Sequence, residues 1–251
     1  MNTDELLNEA ARKIRVSEKI LVITGAGISA ESGVPTFRGG DNVWRGMPFQ
    51  ELSSAKMVNE DLPLVWEWFD YRRGVVAECP PNWAHIAIAE AEHSGRFVEF
   101  TLVTQNVDGL HRDAGSKDLI ELHGHINTAR CLSCQGLISL LEIPKEERPP
   151  TCPSCDDSMR PHVVLFGENL DEDDLNSAFE KAEACDVCVV IGTSSVVYPA
   201  SSIPQIAKRS GAFCIEVNPQ ETDLSGMFDI CLRMNAVESI PKLFGIVGDE
   251  K

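Results

Sequence analysis

Residues 19–39, KILVITGAGISAESGVPTFRG, decide the fold. Lys19 to Thr24 is a short apolar run that stops at a glycine, the pattern of a buried strand passing into a turn. The turn Gly25-Ala26-Gly27-Ile28-Ser29-Ala30 matches G-x-G-x-x-G/A directly after that strand, the context in which the pattern holds a pyrophosphate. The first glycine permits the tight turn, and the second lets backbone approach the phosphates. A small third residue, Ala30, permits close helix–sheet packing, and N–H groups at the helix start face the anion. Alone, the letters also fit a plain glycine-rich βα turn. The residues after Ala30 are more informative. A dehydrogenase runs on into a helix of several turns, whereas Ser32-Gly33-Val34-Pro35 interrupts it here, because Pro35 has no N–H and crowds the turn before it. The chain then delivers Thr36-Phe37-Arg38-Gly39, a loop able to cover a cofactor and carry chemistry.

Outward from this segment, residues 97–104, 186–191 and 213–217 read as strands. Residues 62–78, 83–93, 172–184 and 200–210 read as helices between them. The alternation predicts an α/β fold, a Rossmann-like parallel sheet with helices on both faces. Residues 1–16 carry Asp4, Glu5 and Glu9 with Arg12, Lys13 and Arg15, an amphipathic helix and not an export or transit signal, so the expected compartment is cytoplasmic. Residues 127–161 break the rhythm and read as an inserted module. Within them Cys131-x2-Cys134 is followed by 17 residues and then Cys152-x2-Cys155, the spacing of a four-cysteine zinc site. Four thiolates leave no open coordination position, so the expected zinc is structural. A redox C-x-x-C would be expected at a βα junction, not as two pairs in such an insert. Of the five other cysteines, Cys188 and Cys214 lie in apolar runs and read as core.

The 251 residues suffice for one sizeable core. No apolar run reaches the roughly 18 residues of a membrane helix. The net charge of -17, from 22 Lys+Arg against 39 Asp+Glu, argues against binding nucleic acid through its phosphates. It suits basic partners such as Lys-rich peptides, and equally simple solubility.

Ligands of open α/β sheets sit beyond the carboxyl ends of the strands. Gln105, Asn106 and Asp108 follow the 97–104 strand. His123 and His125 follow the apolar run 119–122, Gly192-Thr193-Ser194-Ser195 follow 186–191, and Asn218-Pro219 follow 213–217. Each set alone fits a polar loop, a helix cap or a structural histidine; four sets on one rim make coincidence improbable. No G-x-S-x-G is present, so an acyl-enzyme hydrolase is not supported.

These residues resemble the sirtuin family. The segments that carry the resemblance are 25–39, TQNVDGLHRDAG (104–115), HGH (123–125), the two cysteine pairs, RPHVVLFGE (160–168), GTSSVVYPA (192–200) and VNPQ (217–220), in family order from about residue 19 to 245. The resemblance implies one catalytic domain over residues 1–251. Its large Rossmann-like part would be approximately 1–39, 95–126 and 162–251, and its small part a helical insert, 40–94, with the zinc module, 127–161. It implies NAD-dependent removal of acyl groups from protein lysines: the acyl oxygen attacks the nicotinamide ribose carbon, nicotinamide leaves, and an O-acyl-ADP-ribose and free lysine result. It implies that Gly25, Ala26 and Gly27 cradle the pyrophosphate, with Phe37 and Arg38 in a loop over the ribose. Gln105, Asn106 and Asp108 would meet nicotinamide and ribose, and His123 would be the general base, a role that neutral imidazole suits near pH 7. Gly192, Thr193, Ser194, Asn218 and Ala236 would line the adenosine side. Phe166, Gly167 and Glu168 on one edge, and Val196, Val197 and Tyr198 on the other, would take the substrate peptide as an added strand. Acylated lysine peptides are thus the expected partners, with no nucleic acid and no membrane.

One subgroup of the family prefers malonyl and succinyl groups and binds their carboxylate with a Tyr-x-x-Arg pair. Here Arg72 matches the arginine, and Phe69 stands in the tyrosine's place without its hydroxyl. A charge-assisted guanidinium bond contributes about 1.5–3 kcal/mol and the lost neutral bond about 0.5–1.5. Acidic acyl groups are therefore expected to bind with a reduced lead over acetyl. The alternative is that Arg72 only pairs with Glu67 or Asp70 on its own helix, which would leave a general deacetylase. His125 is a second departure, at a place where the family usually carries a small or polar residue. A mono-ADP-ribosyltransferase would share the NAD site. A non-catalytic zinc-ribbon module would leave the polar strand ends unexplained.

Overall fold

The computed structural model describes residues 2–35, 43–194 and 196–246. From the N-terminus the chain forms α1 (Thr3–Val16), β1 (Lys19–Thr24), two 3₁₀ turns (Ala26–Ile28 and Ala30–Ser32), a hairpin of β2 (Val43–Trp44) and β3 (Met47–Pro48), and helices α2 (Phe49–Leu52), α3 (Ala55–Glu60), α4 (Leu62–Ala77) and α5 (Trp83–His93). It continues through β4 (Glu99–Thr104), α6 (Leu110–Asp113), β5 (Leu119–Glu121), β6 (Gly124–Cys131), β7 (Leu137–Ser139) and β8 (Met159–Val163). The last third runs α7 (Glu172–Ala184), β9 (Val187–Ile191), α8 (Ser202–Arg209), β10 (Phe213–Val217), β11 (Ile230–Leu232) and α9 (Ala236–Phe244). Thr36, Phe37, Arg38 and Ser195 lie outside the described residues.

Six of these strands pair in parallel in the order β11-β10-β9-β1-β4-β5. From β1 the chain steps outward through β4 and β5, then returns to the other side of β1 for β9, β10 and β11. The order reverses between β1 and β9, which opens a crevice at their carboxyl ends. Side chains alternate across the sheet. Ile20, Val22, Val189, Ile191 and Ile215 pack under α1, α5 and α9, while Leu21, Ile23, Cys188, Val190 and Cys214 pack under α7 and α8. Both faces of the central strands are covered, so β1 and β9 read as near-continuous apolar runs. Cys188 and Cys214 are fully buried, as expected of core residues.

The remainder forms a smaller body. β6 pairs antiparallel with β7 and β8, so the 127–161 insert is better ordered than its composition suggests. β6 begins at Gly124, inside the stretch 95–126 expected to belong to the large sheet. α4 packs Val65, Trp68 and Phe69 against Phe49, Leu52, Ile126 and Val163, and the Trp66 indole N–H donates to the Met159 carbonyl (2.9 Å). α5, expected with the small part, buries Ala84, Ala87, Ile88 and Ala91 in the same core as the six-stranded sheet. Its alanine-rich face fits against α9, where a bulkier insert helix would not. Among the described residues no helix is long and apolar enough to cross a membrane.

Candidate active site

The glycine turn meets β9 at the point where the strand order reverses. The Gly25 N–H donates to Ile191 O (3.0 Å) and the Gly27 N–H to Gly192 O (2.8 Å). A Cβ on Gly27 would lie 2.6 Å from Gly192 Cα, and one on Gly25 2.8 Å from Thr193 Cβ. Gly192 itself has φ +60 and no room for a side chain. These glycines are therefore required first by backbone packing of two strand ends, before any phosphate approaches. Among the described residues up to 35 no α-helix follows the turn; two 3₁₀ turns and Gly33 (φ 93) take its place, in agreement with the interruption read at 32–35. Ala30 departs from expectation: it begins the second 3₁₀ turn and is exposed, so it makes no close helix–sheet packing.

The loop after β4 lies beside this turn. Asn106 Nδ2 donates to Gly25 O and to Ser29 Oγ (both 3.2 Å). Ser29 Oγ donates to Asp108 Oδ2 (2.8 Å), and the Leu110 N–H donates to Asp108 Oδ1 (3.0 Å). Burial raises the Asp108 carboxyl above its ordinary range, opposed by those two hydrogen bonds and by His125 and Arg72. Gln105 Nε2 donates to Thr193 Oγ1 (3.1 Å), tying this loop to the end of β9. Behind it, His85 contacts Ser29 and His111 contacts Thr24.

His123 follows β5. Its Nδ1 lies 2.8 Å from the Gln105 carbonyl oxygen, which can only accept. The ring therefore carries its hydrogen on Nδ1 and keeps the Nε2 lone pair available. Burial lowers its pKa below the ordinary histidine value, with the Gln105 bond opposing.

On the β10 side, Asn218 Nδ2 donates to Thr193 O (2.8 Å), and Asn218 Oδ1 accepts the Gln220 N–H (3.2 Å). The loop 218–225 is anchored from below: Arg233 donates to Glu216 (2.6 Å), to Asn218 O (3.3 Å) and to Ser225 Oγ (2.8 Å). Glu216 is buried and held below the usual carboxylate range by these partners, against the opposing effect of burial. Ala236 opens α9 and is buried, and the next residue's N–H, of Val237, donates to the Glu31 carboxylate (3.4 Å).

On α4, burial lowers the Arg72 guanidinium pKa to about 10, opposed by Asp108. Its Cζ lies 5.5 Å from the Phe69 ring centroid and 5.7 Å from that of Trp68. The acids of its own helix are engaged elsewhere, Glu67 with Arg45 and Asp70 with Arg73 (3.2 Å) and Arg148. Phe69 is fully buried in the core of the smaller body.

The two peptide edges differ from expectation in part. The Phe166 N–H and C=O bond Ser53 O (2.8 Å) and the Ala55 N–H (3.1 Å), so they are not open to a substrate strand. The Glu168 carboxylate pairs with Arg160 and accepts the Leu165 N–H (2.9 Å). Gly167 lies between them, its backbone without a hydrogen bond among the described residues. Val196, Val197 and Tyr198 are exposed, Tyr198 at 81%, as is the Phe166 ring.

The cysteine sulfurs of residues 131, 134, 152 and 155 all lie within 4.8 Å of one another. A zinc with bonds of about 2.3 Å needs tetrahedral edges of about 3.8 Å, and Cys131–Cys155 and Cys134–Cys152 stand at 3.4 and 3.6 Å. Each pair lies on a tight turn closed by Cys131 N–H to Gly136 O and Cys152 N–H to Asp157 O, with Gln135 and Asp156 at positive φ. The donor set fits one closed structural zinc.

The residues nominated at the four strand ends are thus brought to one rim. Ser29 is missed as a hub, although it lies within the glycine-rich motif, and so is His85, which nothing local distinguishes from core. Glu216 and Arg233 are missed as well, because their pairing across β10 and β11 needs the sheet order.

The Sir2 family model matches residues 25–199. The chain is 46% identical over 226 residues to "NAD-dependent protein deacylase 1" of Caldanaerobacter subterraneus subsp. tengcongensis, covering 90% of this chain and 93% of that one. It is 46% identical over 244 residues to the NAD-dependent protein deacylase of Aeropyrum pernix, covering 97% and 98%. Among solved structures, a Sir2 homologue–NAD complex aligns with TM-score 0.87 at 42% identity, over 96% of this chain and 92% of that one. A mutant Sir2 homologue with 2'-O-acetyl ADP ribose aligns with TM-score 0.86 at 42% identity, over 98% and 96%.

Proposed function

The chain belongs to the Sir2 family as an NAD-dependent protein deacylase, and from that premise we propose that it removes malonyl and succinyl groups from lysine as well as acetyl. Arg72 carries this reading. Its guanidinium is half-buried and close enough to Asp108 for the two charges to interact, while Glu67 and Asp70 of the same helix are held by Arg45, Arg73 and Arg148. A carboxylate at the end of an acyl chain can pair with it bidentately in a low-dielectric setting. Phe69, buried beside the Arg72 guanidinium, brings no hydroxyl, which reduces the lead over acetyl without abolishing it.

NAD, when bound, supplies the nicotinamide ribose carbon as electrophile. The chain's residues then have distinct tasks. Gly25, Ala26 and Gly27, with Thr36, Phe37 and Arg38, cradle and cover the phosphates and ribose. Thr193, Ser194, Asn218 and Ala236 hold the adenosine side. Asn106 and Asp108, fixed through Ser29, orient the nicotinamide end. His123 accepts a ribose hydroxyl proton at Nε2. Gly167 and residues 196–198 hold the peptide backbone, so sequence selectivity is weak. The six-stranded sheet with its helices forms the NAD-binding part, and the smaller body forms the acyl pocket with it.

The test is kcat/KM with NAD on one lysine peptide carrying succinyl, malonyl or acetyl, for the native chain and for Arg72→Met. Acidic groups lead in the native chain. In Arg72→Met their kcat/KM falls about 10- to 100-fold, the equivalent of the charge-assisted bond, and acetyl changes less than about threefold. If acetyl leads and Arg72→Met changes little, the enzyme is a general deacetylase with a structural arginine.

A further inference from the structure

We infer that His125 is a positioning residue: its imidazole pins one end of the 105–109 loop as His123 pins the other, and so keeps Asn106 and Asp108 aimed into the site. This rests on the reading of Asn106, Asp108 and His123 given above. The three-residue run His123-Gly124-His125 crosses from β5 into β6 directly beneath that loop. His123 Nδ1 bonds Gln105 O at 2.8 Å. The Ile126 N–H donates to Val107 O at 2.9 Å, in the middle. His125 meets the far end, where its Nε2 would lie 2.7 Å, and its Cε1 3.1 Å, from a Cβ placed on Gly109. Gly109 has φ +83, a conformation that ends the loop and starts α6. The ring thus fills the space that a side chain at 109 would need, and the loop cannot relax toward it.

The ring is itself hydrogen-bonded at one end. Its Nδ1 accepts the Asn127 N–H (3.0 Å), so the neutral ring carries its hydrogen on Nε2. Nε2 lies 3.9 Å from Glu121 Oε1, and Glu121 is forked by Arg112 Nε (3.1 Å) and Nη2 (2.7 Å) from α6. The side chain is 16% exposed. A smaller residue at position 125 would leave the Gly109 end of the loop unsupported from this side.

The two bonding ends of the ring can be separated by substitution. In His125→Asn the amide reaches only to the Nδ1 position and keeps the Asn127 bond. In His125→Gln it reaches to the Nε2 position and keeps the wedge against Gly109. The experiment measures kcat, KM for NAD, the inhibition constant of nicotinamide, Kd for ADP-ribose and Tm for both variants, with His123→Ala as reference. The expected result is a kcat at least tenfold down in His125→Asn and within about threefold of native in His125→Gln. The nicotinamide constant weakens in step with kcat, while KM for NAD and Kd for ADP-ribose stay within twofold. The inference is overturned if both variants keep native kcat, or if kcat falls in both in proportion to Tm. If His123→Ala keeps full activity, the reading of the site beneath it fails and the inference falls with it.

Discussion

His85 and His111 lie edge to face, ring centroids 4.8 Å apart, beneath the loop that carries Asn106. Their hydrogens can be assigned from their neighbours. The Asn82 N–H donates to His85 Nδ1 (3.3 Å), so His85 Nε2 donates to Ser29 Oγ (3.3 Å), whose own hydrogen goes to Asp108. Thr24 Oγ1 donates to Thr104 Oγ1 (2.8 Å), so His111 donates to Thr24 through Nε2 (2.9 Å), and its Nδ1 is buried without a partner among the described residues. Both rings are held neutral: burial lowers His85 to about 4, and it lowers His111, with His85 adding to the effect. A base whose folded pKa lies below its unfolded value of about 6.5 takes up protons first in the unfolded chain. The stability that His85 contributes is thus complete above about pH 6.5 and declines as pH falls toward about 4. For His85 alone the loss is roughly 2 kcal/mol by pH 5. Urea unfolding of the native chain and of His85→Asn at pH 7.5 and 5.0 checks this. The native chain loses about 2 kcal/mol more than the variant over that interval; an equal loss in both shows that His85 is not the titrating group.

At the scale of elements, the zinc turns organise β6, β7 and β8, and β6 starts immediately after His123. Cys131 and Cys152 belong to the same buried cluster as Trp66, Ala129, Leu140 and Met159, so the metal's role is to close a small sheet that has little apolar core of its own. Cadmium prefers the same tetrahedral thiolate set. Replacement of zinc by cadmium should leave kcat within about twofold and its pH dependence unchanged, whereas a chelator should lower Tm and activity together. A large change in the kcat pH profile on metal exchange contradicts a purely structural site. The elements legible in the sequence are those with strong local signals: β1 from its apolar run, α4 and α5 from length and periodicity, and the zinc turns from cysteine spacing. β6 to β8 are not, because their pairing depends on the metal and on long-range contacts with α4, and 127–161 shows little periodicity. α5 is legible as a helix but not as a partner of α9, since both faces of WAHIAIAEAEH are apolar enough to bury.

For the molecule as a whole, the sheet order matters most. The reversal between β1 and β9 brings Gly25 and Gly27 against Gly192, Gln105 against Thr193, and Asn218 against Thr193. The rule that ligands sit beyond carboxyl strand ends is enough to nominate Asn106, His123, Thr193 and Asn218 from the sequence. It cannot nominate Ser29 and His85, which act through others, nor show that the Phe166 backbone is already paired with residues 53 and 55. The net charge of -17 has the sign that attracts basic partners such as lysine-rich peptides. The chain is an NAD-dependent protein deacylase, for which His123 is the proposed base. Mass spectrometry of the products from a succinyl-lysine peptide and NAD tests that most directly. The account predicts unmodified lysine peptide, nicotinamide and O-succinyl-ADP-ribose in equal amounts, all lost in His123→Ala. Free succinate without the ADP-ribose ester, or a peptide carrying ADP-ribose, would contradict it.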